Sequence, residues 1–193
     1  MKTIVYLSSV DVYSQAELTT ESTPTLPPSL YGLSKLYCER MVSLFAADKG
    51  MTCHVLRIGH VYGPGEEKFA KFLPKAIGNI VDGKPVELWG DGSEIRSFIY
   101  IDDVAKAIVK AADLRENVGV INVVGGVAVS IRQIVDRLQE ISSKPFEIVV
   151  REFNGVKRNL VFDNTKLRKY LLPVESDLMS GLRSEYLHIE SLR

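Results

Sequence analysis

Residues 50–58 read Gly-Met-Thr-Cys-His-Val-Leu-Arg-Ile, GMTCHVLRI. The run 52–58 is mostly apolar without strict alternation, as in a strand buried on both faces of a parallel sheet. Gly50 before it suits a helix end. Helical periodicity runs back from there, over residues 30–49, with Leu33, Leu36, Met41, Leu44 and Phe45 as the expected core positions. Ahead of that helix lies a polar, proline-rich loop, 21–29 (ESTPTLPPS). Before the loop comes a β-branched and aromatic run, 3–8 (TIVYLS), which reads as another buried strand. Strand, loop, helix, strand is a crossover unit, and the fold class is α/β.

Strands and helices go on alternating. After Gly59, HVYGPGE is a glycine-proline turn. A helix is predicted over 69–81, with Pro74 kinking it. Short strands at 86–89 and 98–101 flank Gly90-Asp91-Gly92, read as a hairpin turn. Asp102 or Asp103 is expected to cap a helix to residue 112. Residues 118–124 read as a strand, Ser130 caps a helix to 141, and 146–150 is a further strand. Asp163 caps a short helix over 165–170, and an amphipathic helix covers 177–189. There is no internal repeat and no low-complexity segment.

The 193 residues suit one domain with a useful core. Hydrophobic residues make up 46% and charged residues 25%, an ordinary globular balance. Lys plus Arg number 24, as do Asp plus Glu, so no charge excess points to nucleic acid or to a membrane surface. No apolar run has the length of a membrane span. The opening MKTIVYLSSV meets Asp11 early and shows no small-residue cleavage pattern, so a strand is expected there rather than a signal peptide. Cys38 and Cys53 form no C-x-x-C pair, and His54, His60 and His188 are scattered, so no metal site is expected. A reducing, cytoplasmic setting is the expectation.

Residues 29–40 read SLYGLSKLYCER. Tyr31 and Lys35 stand one helical turn apart on a shared face. An ammonium beside a phenol favours the phenolate and lowers a pKa that is ordinarily about 10. The phenol then becomes a usable acid or base near neutral pH. The same spacing also describes an ordinary solvated helix face. What favours chemistry is the preceding strand, which ends in Ser8-Ser9-Val10-Asp11-Val12-Tyr13. Polar residues at the carboxyl end of a parallel strand are where α/β enzymes place their reacting groups. A hydroxyl from Ser9, the Tyr31 phenol and the Lys35 ammonium could converge there. Such a trio can move a proton to or from a substrate hydroxyl while a cofactor moves hydride.

Six segments, in order, carry a family resemblance: YLSSVDVYS (6–14), YGLSK (31–35), LRIGHVYGPG (56–65), WGDGSEIRSFIYIDDVAKAI (89–108), INVVGGVAVSIRQI (121–134) and DNTKLRKYL (163–171). Over essentially its whole length the chain resembles the extended short-chain dehydrogenase/reductase family, in particular its NAD-dependent nucleotide-sugar epimerases, dehydratases and reductases. The resemblance implies a catalytic trio. Tyr31 would be the acid/base, Lys35 would hold the nicotinamide ribose, and Ser9 would hydrogen-bond the reacting sugar oxygen. It implies NAD or NADP as cofactor, met by Tyr31, Lys35, Ile58 and Val61. It implies a nucleotide-diphosphate sugar as substrate, met by Ser9, His60 and Arg96. The planar fork of Arg96 suits phosphate oxygens, with a surface salt bridge as the other reading. His60 stands where many relatives have asparagine. Trp89 packs either against a nucleotide base or in a core or rim.

Dehydratases of the family usually carry Thr-Asp-Glu where this chain has Ser9-Val10-Asp11, and Val10 cannot protonate a leaving hydroxyl. An epimerase or 4-keto-sugar reductase is therefore expected ahead of a dehydratase. A non-catalytic nucleotide-sugar-binding or partner protein is the alternative. The expected division is a catalytic strand and helix region, 1–62, with substrate-side elements mainly in 63–101 and 120–193. The sequence holds no G-x-x-G-x-x-G or G-x-G-x-x-G turn. By its motifs it aligns with the C-terminal two-thirds of such a domain, a partial doubly wound, Rossmann-like parallel sheet with a small substrate-binding lobe. The expectation is thus that the first four strands, with the glycine-rich dinucleotide-binding half, are missing and that the isolated chain is inactive. The exposed strand at 3–8 would be covered by self-association or by a companion chain.

Overall fold

The structure, a computed structural model, describes residues 2–155 and 157–193. Its elements are, in order, β1 (Thr3–Ser9), α1 (Leu30–Asp48), β2 (Thr52–Ile58), β3 (His60–Tyr62), α2 (Phe72–Val81), β4 (Val86–Trp89), β5 (Ile95–Tyr100), α3 (Ile101–Asp113), β6 (Val120–Val123), β7 (Ala128–Ser130), α4 (Ile131–Ile141), β8 (Ile148–Arg151), α5 (Thr165–Tyr170) and α6 (Leu178–Ser191). They gather into two compact units. One takes Met1–Val61, Ser97–Val127 and Leu160–Glu175, the other Tyr62–Arg96, Ala128–Asn159 and Ser176–Arg193.

The first unit is built on a parallel sheet of order β1-β2-β6. β1 pairs with β2 from Thr3 opposite Thr52 to Ser9 opposite Ile58. β2 is central, which is why residues 52–58 are apolar towards both faces. On one face Ile4, Tyr6, Cys53 and Val55 pack with Val42 and Ala46 of α1. On the other, Leu56, Ile121 and Val123 pack with Val104, Ala107 and Ala111 of α3 and Leu167 of α5. The expectation that the first four strands are missing is corrected here: the sheet opens on β1, formed over Thr3–Ser9 and paired along its whole length.

α1 begins where the Ser29 hydroxyl accepts the Gly32 amide at 3.0 Å, and Gly50, at φ 60°, follows its end. The expected core positions of this helix are corrected. Leu33, Met41, Leu44 and Phe45 are more than half exposed, and only Leu36 of that set is partly buried in the core. The helix instead buries Gly32, Glu39 and Ala46. Gly32 is required by a close approach: a Cβ there would lie 2.3 Å from the Asp11 carbonyl oxygen.

In the second unit β4 pairs in parallel with β8, Val86 opposite Ile148 and Trp89 opposite Arg151. The GDG stretch is a tight turn, with Gly90 and Gly92 at φ 69° and 72°. It is not a hairpin, because the partner of β4 is β8. α2 starts at Phe72, later than predicted, after a 3-10 turn at Glu66–Lys68. Pro74 therefore sits in the first turn of a single continuous helix, where its missing N–H has no helical partner to lose. Tyr100, not an aspartate, occupies the cap position of α3, with Asp102 and Asp103 in its first turn. Ser130 and Gln133 form a reciprocal capping box at the start of α4, and Asp177 caps α6. Among the described residues no helix is long and apolar enough to cross a membrane.

Candidate active site

Parallel pairing carries β1 to its end at Ser9, and the chain turns at once into the 3-10 turn Val10–Val12. Ser9 is buried, and its hydroxyl accepts the Asp11 amide at 3.2 Å, which fixes the start of that turn. α1 returns across the same strand end. Tyr31, in the first turn of α1, has its side chain half exposed. Lys35, one turn further on, donates from Nζ to the Leu7 carbonyl of β1 at 2.9 Å. The same Nζ lies 5.7 Å from the Tyr31 ring centroid and 5.5 Å from that of Tyr6. Phenol and ammonium are thus neighbours, and the ammonium is tied to β1 two residues before Ser9. The Tyr6 phenol is pushed up to about 12, first by burial and then by its bond to Cys38, so it stays un-ionised near neutral pH.

The sequence reading overlooked a buried polar network beneath these residues. Glu39, two helical turns past Tyr31, accepts Arg57 Nε at 2.9 Å, Arg57 Nη2 at 2.7 Å and the Ser8 hydroxyl at 2.5 Å. Both partners of this ion pair are 4% exposed. The Arg57 guanidinium lies 4.5 Å from the Tyr13 ring centroid, and the Tyr13 hydroxyl donates to Asn122 Oδ1 at 2.6 Å. Burial pulls the Arg57 pKa down, but its bonds to Glu39 and Tyr13 outweigh that and leave it raised. Burial raises the Tyr13 phenol against the opposing pull of Arg57. One signal was legible beforehand. An arginine inside a strand buried on both faces has to be paired.

The remaining predicted residues are placed as follows. Ile58, at the end of β2, and Val61, in β3, pack against the core beside α3. His60, partly buried, meets the Phe98 ring edge-on at 6.2 Å. His54 is buried, with Nε2 3.1 Å from the Leu114 carbonyl oxygen, a structural role. Arg96 belongs to the second unit. Its Nη2 meets Glu94 at 3.0 Å, and its Nη1 donates to the carbonyls of Ile95 and Arg158. That unit also holds a cleft of about 170 Å³ lined by Phe72, Lys75, Asn79, Glu87 and the exposed Trp89.

A parallel sheet of order β1-β2-β6 with a helix on each face is a partial, Rossmann-like α/β sheet. The family model described as the NAD dependent epimerase/dehydratase family matches residues 1–125. The chain belongs to that family. The match takes in β1 and the trio, so the expected loss of an N-terminal half is corrected on this side too: the N-terminal region is family sequence. The chain is 27% identical to an uncharacterised UDP-glucose epimerase of Bacillus subtilis, over 100% of this chain and 62% of that protein. It is 30% identical to a dTDP-glucose 4,6-dehydratase of Streptomyces griseus, over 92% of this chain and 56% of that one. Among solved structures it resembles the UDP-glucuronic acid 4-epimerase of Bacillus cereus in complex with UDP-glucuronic acid and NAD. There the TM-score is 0.87 at 27% identity, covering 99% of this chain and 62% of the other. The chain therefore spans less than two thirds of the length of these relatives.

Proposed function

We propose that this protein is an NAD-dependent nucleotide-sugar epimerase or 4-keto-sugar reductase, with Tyr31, Lys35 and Ser9 acting on a sugar hydroxyl. The observation that carries this reading is the place of Lys35, beside the Tyr31 ring and bonded to β1 just before Ser9. Family membership and the UDP-sugar and NAD complexes of the similar epimerase support it.

The donor set fits the nicotinamide-ribose end of a dinucleotide. Lys35 uses one of its three N–H donors on Leu7, and two remain for ribose hydroxyls. Bound NAD would supply hydride acceptance from, and hydride return to, a sugar carbon. Tyr31 takes the proton from the hydroxyl on that carbon and gives it back as the carbonyl is reduced. Lys35 keeps its ammonium beside the phenol, 5.7 Å from the ring centroid. Ser9 orients the reacting oxygen by a hydrogen bond. His60 would line the substrate side, and Ile58 and Val61 the nicotinamide side. In the second unit Arg96 would hold a diphosphate by adding it to its bonds with Glu94 and two carbonyls.

The edge position of β1 in its sheet supports association along residues 3–8, with a second copy or a companion chain. Concentration-dependent sedimentation that is lost when Leu7, 41% exposed, becomes lysine would bear this out.

The catalytic reading is tested by incubating the purified protein with NAD and UDP-glucose or UDP-glucuronic acid, and following the product sugars. Turnover that disappears in Tyr31→Phe is the expected result. A Tyr31→Phe protein as active as the native one would sink the assignment.

A further inference from the structure

α1 carries two of the three proposed reacting groups, yet its apolar contact with the core rests on few side chains, Leu36, Val42 and Ala46 among them. Leu30, Leu33, Tyr37, Met41 and Leu44 are exposed, and the fully buried positions are a glycine, an alanine and Glu39. Apolar contact is non-directional and tolerates sliding. Hydrogen bonds to a charged group are directional. The buried charged contacts of this helix meet at one carboxylate, which takes Ser8 from β1 and both Nε and Nη2 of Arg57 from β2, while Lys35 adds its bond to the Leu7 carbonyl nearer the surface. Ser8 is the neighbour of Ser9. Arg57 is braced in turn by the Tyr13 ring, and Tyr13 by Asn122 of β6.

We propose that Glu39 is a positioning residue: through Ser8 and Arg57 it sets the axial and rotational register of α1 on the sheet, and so the place of Tyr31 and Lys35 against Ser9. A buried ion pair adds little net stability over an apolar pair of similar size, and its attested use is to specify one arrangement among several. Here the arrangement specified is that of a helix and two strands. Ser8, Ser9, Tyr31, Lys35 and Glu39 act as one rigid group. Losing the fork leaves the helix attached but free to shift, and a shift of about 1 Å at reacting groups can cost about a hundredfold in rate. The inference rests on the trio proposed above.

The test compares the native protein with Glu39→Met/Arg57→Met, which keeps the volume and removes both charges, and with Glu39→Asp, which keeps the charge and shortens the reach. The first readout needs neither cofactor nor activity. Limited reductive methylation followed by peptide mass spectrometry gives the labelling of Lys35 relative to Lys49, just past the end of the same helix. Lys35 is held by the Leu7 carbonyl, whereas Lys49 meets only its neighbour Asp48 at 2.8 Å in the open. The Lys35 to Lys49 ratio is expected to rise severalfold in both variants, while their unfolding temperatures show them folded. Where turnover is measurable, kcat is expected to fall by about a hundredfold with KM nearly unchanged. A folded variant with the native labelling ratio overturns the proposal, and if the methionine pair does not fold, Glu39→Asp decides by the same ratio. A ratio that rises in a protein that turns over no sugar supports the register role and counts against the catalytic reading, so the two failures are distinguishable.

Discussion

The Lys35 ammonium donates to the Leu7 carbonyl at 2.9 Å, joining the first half of α1 to the strand that ends in Ser9. Lys35→Met removes both this bond and the charge beside Tyr31, without enlarging the side chain. Turnover is expected to fall by about a hundredfold or more, with an unfolding temperature close to native because the position is only partly buried. Initial rates paired with a melting curve check both halves. Native-like turnover in Lys35→Met would count against the role given to the ammonium.

Gly32 to alanine ought to help a helix by about 1 kcal/mol on propensity alone. At this position the new Cβ would fall 2.3 Å from the Asp11 carbonyl oxygen and 2.8 Å from Pro27 Cβ. The clash involves main chain, so relief has to come from moving the helix start away from the turn after Ser9. Gly32→Ala is expected to destabilise by about 1–3 kcal/mol, read from denaturant midpoints. A neutral or stabilising result would show that α1 does not sit this close to that turn.

Arg57→Met alone leaves the Glu39 carboxylate buried without its fork. A cost of about 3–5 kcal/mol is expected. The paired Glu39→Met/Arg57→Met protein should recover most of it, since no buried charge is left unpaired. Chemical denaturation of the two variants side by side gives the answer, and equal losses would mean that the ion pair is not buried as described.

Glu185 of α6 is fully buried, and that burial, reinforced by the neighbouring Glu66 carboxylate, pushes its pKa up to about 8. Around it, Lys71 holds Glu66 at 2.8 Å, while Glu67 accepts the Gly65 amide and lies 3.5 Å from His188. In the unfolded chain a glutamate titrates near 4.3, so between that value and about 8 the folded state binds the extra proton. The stability this proton brings is full below the unfolded value and is lost as pH rises through the folded one, with a slope of at most about 1.4 kcal/mol per pH unit. Melting temperatures should fall from about pH 5 to about pH 8, and Glu185→Gln should flatten the trend. A native profile as flat as the variant's would contradict it.

The sequence showed the parallel core plainly because β2 lies between β1 and β6 and must be apolar on both faces. The nearness of Lys35 to Tyr31 and to β1 was legible for a related reason, since a crossover unit brings the helix start back to the strand's carboxyl end. The inward face of α1 was misread because periodicity reports an apolar stripe and not its direction. Here the stripe with Leu33, Met41 and Leu44 faces outward, while a carboxylate goes in. Glu39 escaped notice because its partners lie 18 and 31 residues away, in other strands. The GDG turn misled because φ above zero marks a tight turn without saying which strand pairs with β4.

Tyr31 and Lys35 as holders of the nicotinamide end are tested most directly by calorimetric titration of NAD into the purified 193-residue protein, at protein concentrations that span any self-association. Saturable binding to the native protein, lost in a folded Lys35→Met variant, is the predicted result. No saturable heat with the native protein, or equal affinity in the variant, would contradict it.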